Sequence, residues 1–147
     1  MRCSSRKRGG EDQIADELAV YNPLVPQGSD LKATLMFEVE NPAERLVFLR
    51  SIVHVEHHIF LQIAEHVIRA HPIDAQERTR SSDGKTSAVH FLTFPFSEVQ
   101  KNLLIERADL PIIIGIDHPK YMHMAGCPES LRDAFKSDLS LHKGDLL

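Results

Sequence analysis

The segment Ile52–His71, with the sequence IVHVEHHIFLQIAEHVIRAH, concentrates side chains that could bind a metal ion or transfer a proton. It holds five of the nine histidines of the 147-residue chain, together with two glutamates. The H-E-x-x-H pattern of zinc proteases and the paired E-x-x-H motifs of di-iron centres are absent. On a strand, His54, Glu56 and His58 would share one face, which allows two or three ligands. The alternative is that these histidines lie on the surface or belong to a polar network.

Glu56 and His57 are the candidate metal ligands of this segment. They support the hypothesis of a metal-dependent enzyme, in which a transition metal is held by histidines and one carboxylate. That enzyme requires the side chains to converge within bonding distance of the metal, about 2.0–2.2 Å. Its remaining candidate ligands lie further along the chain and are His90, Asp117 and His118.

The stretch GIDHPKY places polar residues directly after an apolar run. Asp117 and His118 end the run, Pro119 fixes the backbone, and Tyr121 follows. Polar groups at the end of a central strand are often part of a binding site. Asp117, His118 and Tyr121 are therefore candidate ligand-binding residues. The alternative for Asp117 is that it caps the following turn.

The stretch KTSAVHFL contains three further candidates, Lys85, Ser87 and His90. Ser87 and His90 are three positions apart, which puts them on opposite faces of a strand and makes them a poor nucleophile–base pair. His90 stands between apolar neighbours, so it is expected to be buried and to need hydrogen-bond partners. Such a buried His90 would either join the sheet to a loop through hydrogen bonds or take part in a ligand-binding site. Lys85 would suit an anionic ligand.

The pattern of apolar residues predicts the elements that position these side chains. LKATLMFEVE, residues 31–40, alternates and predicts a half-buried strand. Asn-Pro-Ala-Glu at 41–44 is typical of a helix start, and the helix is expected to end near His54 to Glu56. Two strands with a tight turn around Glu65 and His66 follow. The alternative is one long helix through the whole segment.

The remaining elements complete an order of strand, helix, three strands, helix, two strands, helix. This order predicts an α+β fold, a mixed or antiparallel β-sheet with two to three helices packed on one face. The elements concerned are a polar loop at Asp74–Lys85, a central strand from Thr86, a helix capped by Ser97 and Gln100, a buried strand Leu110–Ile116, an edge strand from Tyr121, and a helix that begins at Pro128 with Leu131, Ala134, Phe135 and Leu139 on one face.

Composition limits the class of protein. The net charge of −4 gives no basic field for nucleic acid, and no apolar run approaches the about 18 residues that a membrane span needs. Two cysteines are too few for a disulfide framework, so a reducing cytoplasm is expected. Residues 1–12 are polar and predict a disordered tail, and residues 13–142 predict a single domain.

Four stretches in order carry a family resemblance: YNPLVPQGSDLKATLM, VEHHIFLQ, KTSAVHFL and GIDHPKY. Together, from about Glu17 to Leu139, the chain resembles an uncharacterised bacterial family, domain-of-unknown-function family 3501. Two departures are Phe60, where relatives usually carry tryptophan, and AEHV, which replaces a glycine-containing turn. The motif positions of the family fall on Tyr21, Lys32, Glu56, His57, Lys85, Ser87, His90, Asp117, His118 and Tyr121.

The resemblance implies a cytoplasmic accessory role in redox or peroxide defence. Relatives tend to be encoded beside a rubrerythrin-like protein and an iron–sulfur oxidoreductase. The expected function is a non-enzymatic domain without a cofactor that binds a small molecule or a redox protein partner. Its ligand-binding residues would be Tyr21, Lys32, Lys85, Ser87, His90, Asp117, His118 and Tyr121. The metal-dependent enzyme is one alternative, and a homodimer paired through an exposed strand is the other.

Overall fold

The computed structural model describes residues 24–73 and 84–140, together with the backbone of residues 79 and 80. The predicted tail, Tyr21 and most of the polar loop lie outside the described residues. The helices are α1 (Pro42–Ser51), α2 (Glu98–Glu106) and α3 (Glu129–Leu139). The strands are β1 (Asp30–Met36), β2 (Ile59–Ile63), β3 (His66–Arg69), β4 (His71–Pro72), β5 (Thr79–Arg80), β6 (Lys85–Thr86), β7 (Val89–Pro95), β8 (Ile112–His118) and β9 (Tyr121–Gly126).

Every strand pair in the described part of the chain is antiparallel. One sheet has the order β1-β7-β4, a second has the order β3-β2-β8-β9, and β5 pairs with β6 in a short ribbon. With three helices beside these sheets, the α+β class and the antiparallel arrangement are confirmed. No helix among residues 24–73 and 84–140 has the length and apolar character to cross a membrane.

The two larger sheets are joined by one bent strand. β3 pairs with β2, and β4, which begins two residues later, pairs with β7. Between them the N–H of Ala70 donates to the carbonyl of Ile59 at 2.9 Å. The six strands therefore form an incomplete ring if β3 and β4 are counted as one. Within the described residues no further strand pairs with β1 or β9, and we call their outer sides the free edges.

The main hydrophobic core lies between the inner faces of these two sheets. Alternate residues of each strand point to it, as the period of an extended chain requires. On β1 this alternation is the one that the sequence predicts, with Leu31 buried and Thr34 exposed. A smaller core under α1 contains Ile52 and Val55. The buried residues of the main core are Leu31, Ile59, Leu61, Ile63, Ile68, Ala70, Leu92, Phe94, Phe96, Leu104, Ile112 and Leu139.

The histidine-rich segment 52–71 contains a hairpin, and the alternative of one long helix is wrong. β2 and β3 are joined by Ala64 and Glu65, and Ala64 takes the positive φ of 52° that the turn needs. The preceding helix ends at Ser51, earlier than predicted, because His54 adopts a left-handed conformation. A short 3-10 turn, Val55–His57, then leads into β2.

The helix caps agree with the sequence predictions, whereas the buried face of α3 differs from the predicted one. The Asn41 side chain accepts from the N–H groups of Ala43 and Glu44, and Ser97 forms the predicted capping box with Gln100. In α3, however, Arg132 is buried and Leu131 is 37% exposed. The predicted apolar face is therefore correct for Phe135 and Leu139 but wrong for Leu131 and Ala134, which is also exposed.

Candidate functional site

A cleft of about 400 Å³ opens between the free edges of β1 and β9. We call it the inter-sheet cleft, because its walls are the inner faces of the two sheets. Almost all of its wall is aliphatic or aromatic. The lining residues are Ala33, Thr34, Leu35, Ile59, Leu92, Phe94, Ile114, Gly115, Ile116, Tyr121, His123, Met124 and Ala125.

Aromatic rings lie at the end of the inter-sheet cleft where β9 begins. The ring centroids of Phe37, Phe48 and Tyr121 are 5.4 to 5.7 Å apart, and each pair is edge-on. Edge-to-face pairs at this distance are the favourable arrangement for aromatic quadrupoles. The His123 ring lies 4.4 Å from that of Tyr121. The phenol and the imidazole are thus polar groups beside an otherwise apolar wall.

A second group of polar side chains, the Asp117 network, lies on the outer face of β8. Both carboxylate oxygens of Asp117 accept from the Arg69 guanidinium, at 2.9 and 2.7 Å. His58 Nδ1 lies 3.3 Å from the same carboxylate. The Arg69 hydrogen bonds hold the pKa of Asp117 below its usual range, although partial burial opposes this. A two-pronged arginine pair of this kind fixes orientation as well as charge.

The Arg69 guanidinium also covers an aromatic ring. Its central carbon lies 5.4 Å from the centroid of Phe60, within the range of a cation–π contact. Phe60 lies in turn over Gly115, where an added Cβ would be 2.5 Å from the ring. The absence of a Cβ at Gly115 thus lets the Phe60 ring approach β8 this closely.

Lowering the pH should remove the contribution of Asp117 to stability. A carboxylate whose pKa is lowered by folding stabilises the native state above its ordinary pKa of 3.8, and that contribution disappears as the pH falls through the native pKa. Asp117→Asn is therefore expected to lower the melting temperature at pH 6 and to lose much of this effect near pH 2. Asp133→Asn, on the exposed side of α3, is the matched control. A constant difference between Asp117→Asn and the parent from pH 2 to 6 would contradict this role.

His118 points to the opposite face from Asp117, as neighbouring residues of a strand must. Its Nδ1 accepts from the N–H of Lys120 at 3.0 Å, so its Nε2 carries the proton and donates to the Val53 carbonyl at 2.9 Å. His118, rather than Asp117, therefore caps the turn between β8 and β9. The sequence motif Asp-His thus contains two residues with separate structural tasks.

His90 is a core histidine, fully buried at 0% exposure. Its Nε2 donates to the Ser87 carbonyl at 2.8 Å and lies 3.5 Å from the Thr86 hydroxyl. The Ser87 hydroxyl accepts from the N–H of Val89, which holds it in the loop before β7. This arrangement joins the sheet to the loop and gives no nucleophile–base pair.

The other predicted ligand-binding residues are spread over the molecule. Lys32 lies on the outer face of β1, 2.8 Å from Asp30 and 3.0 Å from the Thr93 hydroxyl. Lys85 is half-buried at the start of β6, and Tyr21 is outside the described residues. Of the seven predicted positions that the structure describes, only Tyr121 lines the inter-sheet cleft.

The candidate metal ligands lie in different environments. Glu56 is 3% exposed, whereas His57 is exposed. Asp117 and His118 are on opposite faces of β8. No group of three or more histidine, cysteine, aspartate or glutamate side chains within the described ranges is arranged to hold a metal ion. Within the described residues no third candidate ligand joins Glu56 and His57, and the metal site at these two residues stays a prediction.

Three residues of these sites were not predicted from the sequence: Phe60, Arg69 and His123. His58 was considered only as a metal ligand. The charge of Arg69 is a signal that could have identified it. It is the charged residue at the end of the second strand of the predicted hairpin, next to the apolar residues of that strand. His123 could have been found from alternation, because it shares a face with Tyr121 on β9. The pairing of Arg69 with Asp117 spans 48 positions, and no local pattern predicts it.

Comparison with known proteins agrees with the family resemblance. No curated protein matches the chain. A crystal structure of a novel protein of unknown function from Burkholderia pseudomallei K96243 is 38% identical, with a TM-score of 0.74. The match covers 87% of this chain and 65% of that one, so the chain spans about two thirds of the length of this relative. Residues 5–139 match the family described as "Protein of unknown function (DUF3501)". The chain belongs to this family.

Proposed function

We propose that this protein is a non-enzymatic binding domain that takes an apolar ligand in the inter-sheet cleft. The observation that carries the proposal is the cleft itself, about 400 Å³ of space with an almost wholly apolar wall. Ligand sites usually have volumes of about 300–1,000 Å³ and combine apolar walls with a few polar groups. Tyr121 and His123 supply those polar groups beside the aromatic end.

The contacts of the polar residues selected from the sequence support binding rather than catalysis. The buried histidines His90 and His118 each donate to a backbone carbonyl, and Asp117 is held by Arg69. These contacts tie the polar side chains to the fold. A ligand with an apolar body and one hydrogen-bonding end would fit the wall and reach Tyr121. On the family resemblance, we place this domain in the cytoplasm as an accessory to a redox-related pathway.

The test is to fill the inter-sheet cleft with a side chain. Ala125 lines the cleft on β9, so Ala125→Phe should displace an apolar fluorescent probe such as anilinonaphthalene sulfonate and weaken its binding at least tenfold. Ala134→Phe, on the exposed side of α3, is the matched control and should bind the probe like the parent. Equal probe affinity in both variants, with unchanged melting temperatures, would refute the cleft as the binding site.

A further inference from the structure

We infer that the occupant of the inter-sheet cleft is an extended polypeptide strand, held by the backbone edges of β1 and β9. This inference rests on the proposed function, since it names the class of ligand that the same cleft takes. It is carried by the direction of the backbone groups along the two edges, by the lining of the cleft, and by the charge of β9.

The free backbone groups of β9 can be assigned residue by residue. The N–H of Cys127 donates to the Ile112 carbonyl on β8 at 2.8 Å. In an antiparallel pair, alternate residues direct both their N–H and C=O to the neighbouring strand, and the residues between direct them away. The backbone groups of Met122, Met124 and Gly126 therefore point outward from the sheet.

The same assignment holds for β1. The N–H of Phe37 donates to the Ala88 carbonyl at 2.8 Å, and the Ser29 carbonyl accepts from Phe96 at 2.8 Å. The backbone N–H and C=O groups of the odd-numbered residues of β1 thus bond to β7. The backbone groups of Lys32, Thr34 and Met36 consequently point away from it. Each free edge presents a row of donors and acceptors at alternate residues.

The lining of the inter-sheet cleft contains these outward groups. Side chains of only every second residue on a strand can face one cavity. Yet the cleft is lined by three consecutive residues of β1, 33–35, and by three consecutive residues of β9, 123–125. The middle residues of these runs, Thr34 and Met124, are the ones whose backbone groups point outward. The inter-sheet cleft is therefore bordered by the backbone of β1 and β9 at their free edges as well as by side chains of the inner faces.

An extended peptide satisfies both features at once. Its backbone pairs with one or both edges, and every second side chain enters the apolar interior, as in β-strand addition. Strand directions alternate around the ring, so β1 and β9 run in opposite directions. One inserted strand would run antiparallel to one edge and parallel to the other. Both kinds of ladder form regular hydrogen bonds.

The chemistry of β9 favours an uncharged partner strand. Natural sheets protect a free edge with charges, proline or shortness, and an unprotected edge accepts another strand. β9 is six residues long and has no aspartate, glutamate, lysine, arginine or proline. Met122 and Met124, the residues whose backbone groups point away from β8, are 64% and 62% exposed. Methionine adapts to varied partner side chains.

The solved relative offers a source for such a strand. This chain spans 65% of the length of that protein, so the relative carries polypeptide beyond the matched part. We commit to an alternating, uncharged strand as the occupant, and to the unmatched third of the relative as its source. A second copy of this chain, added through its own β9, is the other occupant that the test distinguishes.

The experiment uses overlapping 12-residue peptides that cover the unmatched part of the Burkholderia relative. Each is labelled, and its binding to the full chain is followed by fluorescence anisotropy. At least one neighbouring pair of peptides should bind. Methylating the backbone nitrogens on the bonding side of that peptide should weaken binding at least tenfold, because the methyl groups remove donors without changing the side chains.

Proline substitutions in the protein itself test whether the edges of β1 and β9 form the backbone hydrogen bonds. Met124→Pro and Thr34→Pro remove an outward N–H that bonds to neither β8 nor β7, and proline is tolerated at such edge positions. Each should weaken peptide binding at least tenfold. Val67→Pro is the matched control. Ala70 bonds towards β2, so the Val67 N–H points away from β2, on a strand that is neither β1 nor β9. This variant should bind the peptide like the parent.

The outcomes separate this inference from the proposed function. If no peptide binds while the apolar probe still enters the cleft, the strand inference fails and the binding domain stands. If neither binds, both fail. If the chain instead forms dimers that Met124→Pro abolishes and Val67→Pro preserves, the occupant is a second copy and the committed source is wrong. Peptide binding that survives both Met124→Pro and Thr34→Pro also overturns the inference.

Discussion

Gly115→Ala is expected to destabilise the protein by about 1–3 kcal/mol, the usual cost of forcing an extra carbon into a packed position. The added Cβ would lie 2.5 Å from Cζ and 2.8 Å from Cε1 of Phe60, both closer than real contacts allow. The Phe60 ring is 4% exposed and Arg69 covers it, so it has little room to move. Thermal unfolding should show a melting temperature lowered by about 4–12 °C.

Gly126 provides the matched control for this prediction. It lies on β9 of the same sheet, and an added Cβ there would meet no heavy atom within 4 Å. Gly126→Ala should therefore melt like the parent. In the Gly115→Ala background, Phe60→Leu should cost less than it does alone, because the two substitutions share one contact. Strict additivity, or equal melting temperatures for the two glycine variants, would contradict the steric explanation.

Arg132→Leu is expected to cost about 2–3 kcal/mol, since it removes hydrogen bonds made by a charged donor and leaves buried carbonyls behind. The Arg132 guanidinium is 7% exposed and donates to the carbonyl of Arg107 at 3.1 Å and to that of Leu110. Arg107 is the residue that ends α2. Arg132 thus joins α3 to the end of α2, and chemical denaturation should show the loss as a lower midpoint with an unchanged slope.

Arg107→Leu is the control for this prediction, because its side chain is 54% exposed and pairs with the exposed Asp109. Exposed ion pairs contribute little to stability. This variant keeps the Arg107 carbonyl that Arg132 binds, so its denaturation midpoint should stay near that of the parent. If Arg132→Leu unfolded at the same midpoint as Arg107→Leu, the buried guanidinium would have no role in joining the helices.

The parts of the fold that the sequence predicts are those that local patterns determine. Alternation identifies β1, capping residues identify the starts of α1 and α2, and the change of composition after Glu56 identifies the hairpin. The face of α3 was mispredicted for a tertiary reason. Arg132 binds the Arg107 carbonyl at the end of α2 and the Leu110 carbonyl in the loop that follows, and these hydrogen bonds accompany its burial in place of Leu131.

The candidate site depends on pairings between distant segments, which local patterns do not encode. Asp117 was selected as a polar residue at a strand end, but its partners Arg69 and His58 are 48 and 59 positions away. The inter-sheet cleft is bounded by β1 and β9, which belong to different sheets. Tyr121 was selected from its motif, whereas its place at the cleft follows from the topology of the ring.

The bent strand is where the backbone ladders of the two larger sheets meet in the described part of the chain, on the far side from β1 and β9. One hydrophobic core nevertheless contacts the inner faces of both sheets. Widening the gap between β1 and β9 would therefore separate buried side chains of that core. The width of the inter-sheet cleft is thus set by side-chain packing, and an apolar occupant would extend the same core.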